Sequence, residues 1–116
     1  MGNDPRKYLY DIFEACELIG QFTKNKTLDD YQVDSLVRSA VERQFSIIGE
    51  SLQQMTRKYP DIASKITDYR NIINFRNILV HGYDRVEDEV VWGLIENHLP
   101  ILRMEVEALL SAGTGD

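Results

Sequence analysis

Apolar residues recur along this chain at the three-and-four spacing of buried helical faces, and that rhythm predicts a series of helices. Leu9, Ile12, Phe13, Cys16 and Ile19 mark the first face. Before it, Asn3-Asp4-Pro5 reads as a polar cap with proline in the first turn. Gly20 and Lys24-Asn25-Lys26 close this helix, and Thr27 and Asp30 have the spacing of a short capped turn. A long second helix is predicted from about Val33 to Lys58, with Val37, Val41, Ile48, Leu52 and Met55 as its stripe and Phe45 and Ile47 widening it.

Tyr59-Pro60-Asp61 breaks the pattern, because the residue before proline avoids helical geometry. Residues 61–80 read as one short turn and then a third helix whose face includes Ile66, Tyr69, Ile72, Ile73 and Val80, with Gly82 as a left-handed stop. Asp84 is placed to cap a fourth helix beginning near Glu87, whose face includes Val90, Val91, Leu94 and Ile95. Pro100 predicts a kink or restart, after which Ile101, Leu102, Val106 and Leu109 continue. Residues 111–116 are expected to form a disordered tail. Neither a strand pattern nor an internal repeat interrupts the helical reading. The expected fold class is therefore all-α: one domain over residues 1–116, an antiparallel four-helix up-and-down bundle with short extra helical turns.

Composition narrows the setting. At 116 residues, with 43% hydrophobic and 28% charged positions, the chain can bury a core without metals or disulfides. Its single cysteine, Cys16, excludes an intrachain disulfide and a cysteine-cluster metal site, and a reducing cytoplasm is the expected location. No apolar run approaches membrane-spanning length and no signal-like apolar start precedes the first helix. Position 6 is Arg, where a myristoylation signal needs Ser or Thr. Asn25-Lys26-Thr27 fits a glycosylation pattern that carries no meaning without secretion.

The net charge of −6 is unevenly distributed. Residues 1–60 hold 8 Lys/Arg against 9 Asp/Glu, residues 61–85 hold 4 against 3, and residues 86–116 hold 1 against 7. The acidity lies in the C-terminal segment, which argues against specific or high-affinity DNA binding. The region before it is neutral to basic and leaves room for a phosphate-binding patch.

That region contains "NIINFRNILVHGYDR", Asn71 to Arg85, where Arg76 and His81 stand among core-like Ile, Phe, Leu and Val. Burying an unpaired guanidinium costs several kcal/mol or more. A structural reading is available: Arg76 pairs with Glu50 or an acid of the fourth helix, and His81 complements a helix C-terminus. The chemical reading is that a histidine titrating near neutrality moves a proton while an arginine fork stabilises charge on a phosphoryl group. Those two roles suffice for metal-free RNA cleavage by attack of the ribose 2′-OH on its own phosphate. A five-residue separation puts the two side chains roughly 140° apart on a helix. Convergence then needs a frayed helix end, a long arginine reach or a second copy of the chain across a two-fold axis. Elsewhere Cys16 reads as a buried small hydrophobe and His98 as structural. Arg43 and Glu50, seven apart on the second helix, read as members of ion pairs.

With Asn77 after the arginine and Gly82-Tyr83 after the histidine, this stretch resembles the Arg-x4-His-x-Tyr signature of HepT-like HEPN domains from HEPN/MNT toxin–antitoxin pairs. "VERQFSIIGESLQQM" is similar to that family's Arg…Ile-Gly-Glu segment, "YPDI" to its usual break and "VWGLIENHLPIL" to its last helix. The resemblance implies a HEPN bundle, usually a homodimer with the motif at its interface, acting as a metal-independent endoribonuclease toxin on tRNA or mRNA. It implies Arg76 and His81 as the catalytic pair and Asn77 as the supporting polar residue. It further implies Tyr83 as the tyrosine that a minimal nucleotidyltransferase antitoxin modifies with AMP. Arg43 and Glu50 match recurring positions with orienting or structural roles. No cofactor is implied. A noncatalytic HEPN module, binding nucleotides or another protein, is the alternative that the fold alone leaves open.

Overall fold

The computed structural model describes residues 4–81 and 87–113. Among them are α1 (Arg6–Thr23), α2 (Leu28–Val33), α3 (Ser35–Lys58), α4 (Pro60–Ala63), α5 (Tyr69–His81), α6 (Asp88–Asn97) and α7 (Leu99–Gly113), with no strand. The all-α bundle expected from periodicity is what the chain forms. Its long members are α1, α3, α5 and the α6–α7 pair, and packing runs from α7 to α1, from α1 to α3 and from α3 to α5.

Each helix is set by local chemistry. Thr27 and Asp30 form a reciprocal capping box: the Thr27 hydroxyl accepts from the Asp30 N–H at 3.2 Å, and the Asp30 carboxylate accepts from the Thr27 N–H at 2.9 Å. Those bonds hold the Asp30 carboxyl below its usual range, the Thr27 backbone N–H contributing most. The Asp34 carboxylate then accepts from the N–H groups of Leu36 and Val37 at 3.1 and 3.2 Å. That cap ends α2 at Val33 and starts α3 at Ser35, so Val33 is not the head of the long helix; it is 84% exposed.

The core lies where the stripes meet. Ile12 and Ile19 of α1, Val41, Ile48, Leu52 and Met55 of α3, and Val106 of α7 are fully buried. Each such side chain stabilises the fold by about 1.5–3 kcal/mol relative to exposure. Cys16 is buried among them, and burial pushes its thiol up to about 12. Tyr31 of the short α2 is also fully buried, its ring 5.5 Å from Trp92 of α6.

The approach to α5 differs from expectation. Ile66 is buried, but in the turn before α5 and not on its face. Glu105 of α7 holds that turn by accepting from the Thr67 N–H at 2.9 Å and the Thr67 hydroxyl at 2.6 Å. Asp68 follows with φ 56°, a left-handed conformation that separates the turn from the helix. The break expected at Pro100 falls at His98, which caps α6 through its N–H to the Leu94 carbonyl at 3.0 Å. Pro100 is the second residue of α7, where a missing N–H costs no helical bond. Helix α7 continues to Gly113, so residues 111–113 of the expected tail are helical. The stop at Gly82 and the cap at Asp84 fall outside the described residues, and Glu87 is the cap of α6.

Candidate functional site

Two long helices can approach closely only where a side chain is missing. Gly49 sits in the middle of α3, facing α5. A methyl group there would lie 2.2 Å from Arg76 Cβ and 2.6 Å from its Cγ. Such contacts are far inside van der Waals distance, so the Arg76 stem can sit there only because position 49 has no Cβ. The Arg76 stem occupies that space, and its side chain is only 18% exposed.

The guanidinium is incompletely satisfied. Nη2 donates to Glu50 Oε2 at 3.4 Å, a long contact to a carboxylate that is itself 60% exposed. Nη1 donates to Asn77 Oδ1 at 3.2 Å. Among the described residues, Nε is buried without a hydrogen-bond partner. An arginine has five N–H donors, and a buried one without an acceptor carries a desolvation cost. The arrangement leaves a fixed cation with spare donors, the property that a phosphate oxygen or carboxylate would satisfy.

To this arginine the structure brings two of the other residues singled out from sequence. Asn77 orients one edge of the fork and Glu50 the other, which joins α3 to α5. Arg43 is exposed and lines, with Glu50, a groove of about 240 Å³ between α1 and α3. His81 is the last residue of α5; its side chain and the whole of Tyr83 lie outside the described residues. No group of three or more His, Cys, Asp or Glu among the described residues is arranged to hold a metal ion.

Gly49 was not singled out from sequence as a functional position, although a signal exists. Glycine inside a 24-residue helix costs about 1 kcal/mol relative to alanine, so an interior glycine marks a place where bulk is excluded. Beside it stands Glu50, and the Gly-Glu pair together seats and holds Arg76.

The all-α bundle, with Arg76 on α5 five residues before His81 at that helix's end, is consistent with a HEPN-like fold. The chain belongs to the HepT-like ribonuclease family: the family described as "Ribonuclease HepT-like" matches residues 12–109. A Thermococcus cleftensis protein named as a probable ribonuclease HepT is 31% identical, over 94% of this chain and 98% of that one. A Methanocaldococcus jannaschii protein provisionally named as an RNase is 28% identical, over 97% and 93%. Another from that organism, named as a gamma-glutamylcyclotransferase and provisional RNase, is 30% identical over 91% of this chain. The chain spans about half of that longer relative, 47% of its length. No solved structure matches the chain. No helix among the described residues is long and apolar enough to cross a membrane.

Proposed function

We propose that the chain is a metal-independent endoribonuclease toxin that cleaves RNA through Arg76 and His81 and is neutralised by a minimal nucleotidyltransferase antitoxin. The observation that carries this reading is the Arg76 seat: a guanidinium fixed against Gly49, steered by Glu50 and Asn77, with its Nε unpartnered. Family membership supplies the reaction class.

The chemistry runs through this chain's own groups. Neutral His81 takes the proton of a ribose 2′-OH; the 2′-oxygen attacks the adjacent phosphorus, and the bond from phosphorus to the 5′-oxygen breaks. The products are a 2′,3′-cyclic phosphate and a free 5′-OH. The departing 5′-oxygen takes its proton from an imidazolium or water on the opposite side. In a two-fold dimer that donor is the partner's His81, which makes the cleft a matched base and acid. Arg76 neutralises charge on the non-bridging oxygens as the phosphorus becomes five-coordinate, a contribution of the kind worth ~10²–10³ in rate. Ile78, between the two active residues and 52% exposed, supports a second copy packing on this end of α5.

Tyr83 follows His81 by two residues in the sequence. An adenylyl phosphate on its oxygen brings the same kind of anion to Arg76 that the substrate offers, and so occupies the site.

The test is cleavage of tRNA and mRNA by purified protein in the presence of a chelator, with end-group analysis of the fragments. Cyclic phosphate ends from the wild type, and none from a folded His81→Ala protein, are expected. Full cleavage by His81→Ala overturns the assignment. Co-expression with a cognate nucleotidyltransferase should add AMP to the intact mass, and Tyr83→Phe should abolish that increment.

A further inference from the structure

The α1–α3 groove runs along α3 from Arg43, past Glu50, the residue that holds Arg76, and Gln54, and is closed on α1 by Asp11, Tyr8 and Lys7. One turn beyond Gln54, Lys58 Nζ donates to the Tyr8 hydroxyl at 2.9 Å. Nζ is also 5.5 Å from the centre of the Tyr8 ring. A ring centre and its hydroxyl oxygen are separated by one ring radius and one C–O bond. Those two distances therefore place the ammonium nearly on the C–O axis, off the tip of the ring and not over its face. The bond to Tyr8 keeps Lys58 firmly protonated, above the usual lysine range. Tyr59 stands beside Tyr8, ring centres 6.4 Å apart and planes tilted by 52°.

The charge along this line runs against the molecule as a whole. Among the described residues that line the groove, Lys7 and Arg43 stand with Asp11 and Glu50, and Lys58 and Arg76 adjoin it, in a chain whose net charge is −6. Asp11 is already paired with Lys7 at 3.4 Å, and Glu50 with Arg76. What remains is a positive line with an aromatic plane at its end, the pairing that single-stranded nucleic acid binds by backbone neutralisation and base stacking. Eight residues of α3 separate Glu50 from Lys58, about 12 Å along the axis, which is the reach of a few nucleotides.

We propose that this groove is an extension subsite for the substrate RNA. A single strand with one phosphate at Arg76 runs along α3, sets a phosphate two or three nucleotides further on against Lys58 and lays a base on Tyr8. The subsite rests on the ribonuclease reading for its ligand, and it makes Tyr8 and Lys58 positioning residues that favour unpaired RNA of several nucleotides over a minimal substrate.

The experiment measures binding by fluorescence anisotropy in the His81→Ala protein, which holds RNA without cutting it. Labelled single-stranded RNAs of about two and about twelve nucleotides bracket the groove. The longer RNA is expected to bind about ten-fold tighter in that protein. Lys58→Gln removes most of the advantage and lowers the salt slope by about 0.7, the share of one phosphate contact. Tyr8→Ala weakens the longer RNA by about ten-fold or more, and Tyr8→Phe, which keeps the ring, retains most of the affinity. Lys58 is exposed, so Lys58→Gln decides the matter even where Tyr8→Ala disturbs folding. Equal binding of both RNAs, or Lys58→Gln indistinguishable from its parent, overturns the subsite. Cleavage by the wild type is read separately: its absence speaks against the ribonuclease reading, and binding alone judges the groove.

Discussion

Two seams of this bundle are each bridged by an arginine and a glutamate, and they are built to opposite ends. At the α1–α7 seam Arg103 pairs with Glu17, has Glu107 of its own helix at 3.9 Å, and lies over the Phe13 ring at 5.1 Å. Its side chain is 43% exposed, and the Glu17 bond holds its charge above even the usual arginine range. At the α3–α5 seam Arg76 is less exposed yet worse satisfied, with one distant carboxylate, one amide and an unpartnered Nε. Burial alone would rank Arg76 as the structural residue and Arg103 as the available one. The inventory of acceptors reverses that ranking. An arginine surrounded by acceptors holds helices together, and one kept short of them is left to receive a ligand.

The largest effect that separates the seams is expected from Arg76→Lys. It keeps the charge and loses the fork, so RNA cleavage should fall by about 10²-fold or more. Arg103→Lys should cleave at the wild-type rate; a matching fall would erase the distinction between the two arginines. Next comes Gly49→Ala, which forces Arg76 or all of α5 to move. Displacement of a catalytic group by about 1 Å costs roughly 10²-fold in rate. Overpacking of about 1–3 kcal/mol is offset in part by alanine's better helix propensity, about 1 kcal/mol. Gly49→Ala should therefore lose far more cleavage than melting temperature, and an unchanged rate would detach the glycine from the site.

How much of this was legible beforehand depends on which physics set each feature. Stripes such as Val41, Ile48, Leu52 and Met55 were readable because a 3.6-residue period marks a buried face whatever it packs against. Boundaries set by a single side chain were less so. Asp34 moved the start of α3 past Val33, and the Glu105 clamp with left-handed Asp68 took Ile66 off α5. Those are tertiary and capping effects that periodicity does not encode. Val90 and Ile101 were placed on buried faces but are 53% and 44% exposed, while their neighbours Val91 and Leu102 are the buried ones. With α6 ending at His98, the register of each short helix is set separately. Of the site, Arg76 was conspicuous as a cation in an apolar run, and its partner Glu50 was within the alternatives. An interior glycine hinted that bulk is excluded at position 49, but that Arg76 fills the space could be read only from the distance between two helices.

Smaller effects sharpen the contrast between site and scaffold. Thr27→Ala removes half of the capping box and should cost about 1 kcal/mol in thermal or urea unfolding, with cleavage unchanged. Because the Asp30 carboxyl titrates below its usual range, the stability it adds is fully present above the ordinary carboxylate pKa. It is lost as pH falls through the lowered value; Asp30→Asn should flatten that acid limb, and Thr27→Ala, which keeps the Thr27 N–H, should only reduce it. Cys16 gives the mildest phenotype. With its thiol pushed up to about 12, the native protein should resist alkylation at pH 8 and react only once denaturant unfolds it. Rapid labelling of native protein would place the thiol outside the core.

The account rests on Arg76 being the phosphate-binding arginine. The most direct measurement compares the RNA cleavage rates of Arg76→Ala and Arg103→Ala, each shown by circular dichroism to be folded. Arg103→Ala is expected to melt earlier and cut at the wild-type rate, and Arg76→Ala to lose at least about 10²-fold in rate while remaining folded. Equal rates in the two variants, or near-wild-type cutting by Arg76→Ala, would contradict it.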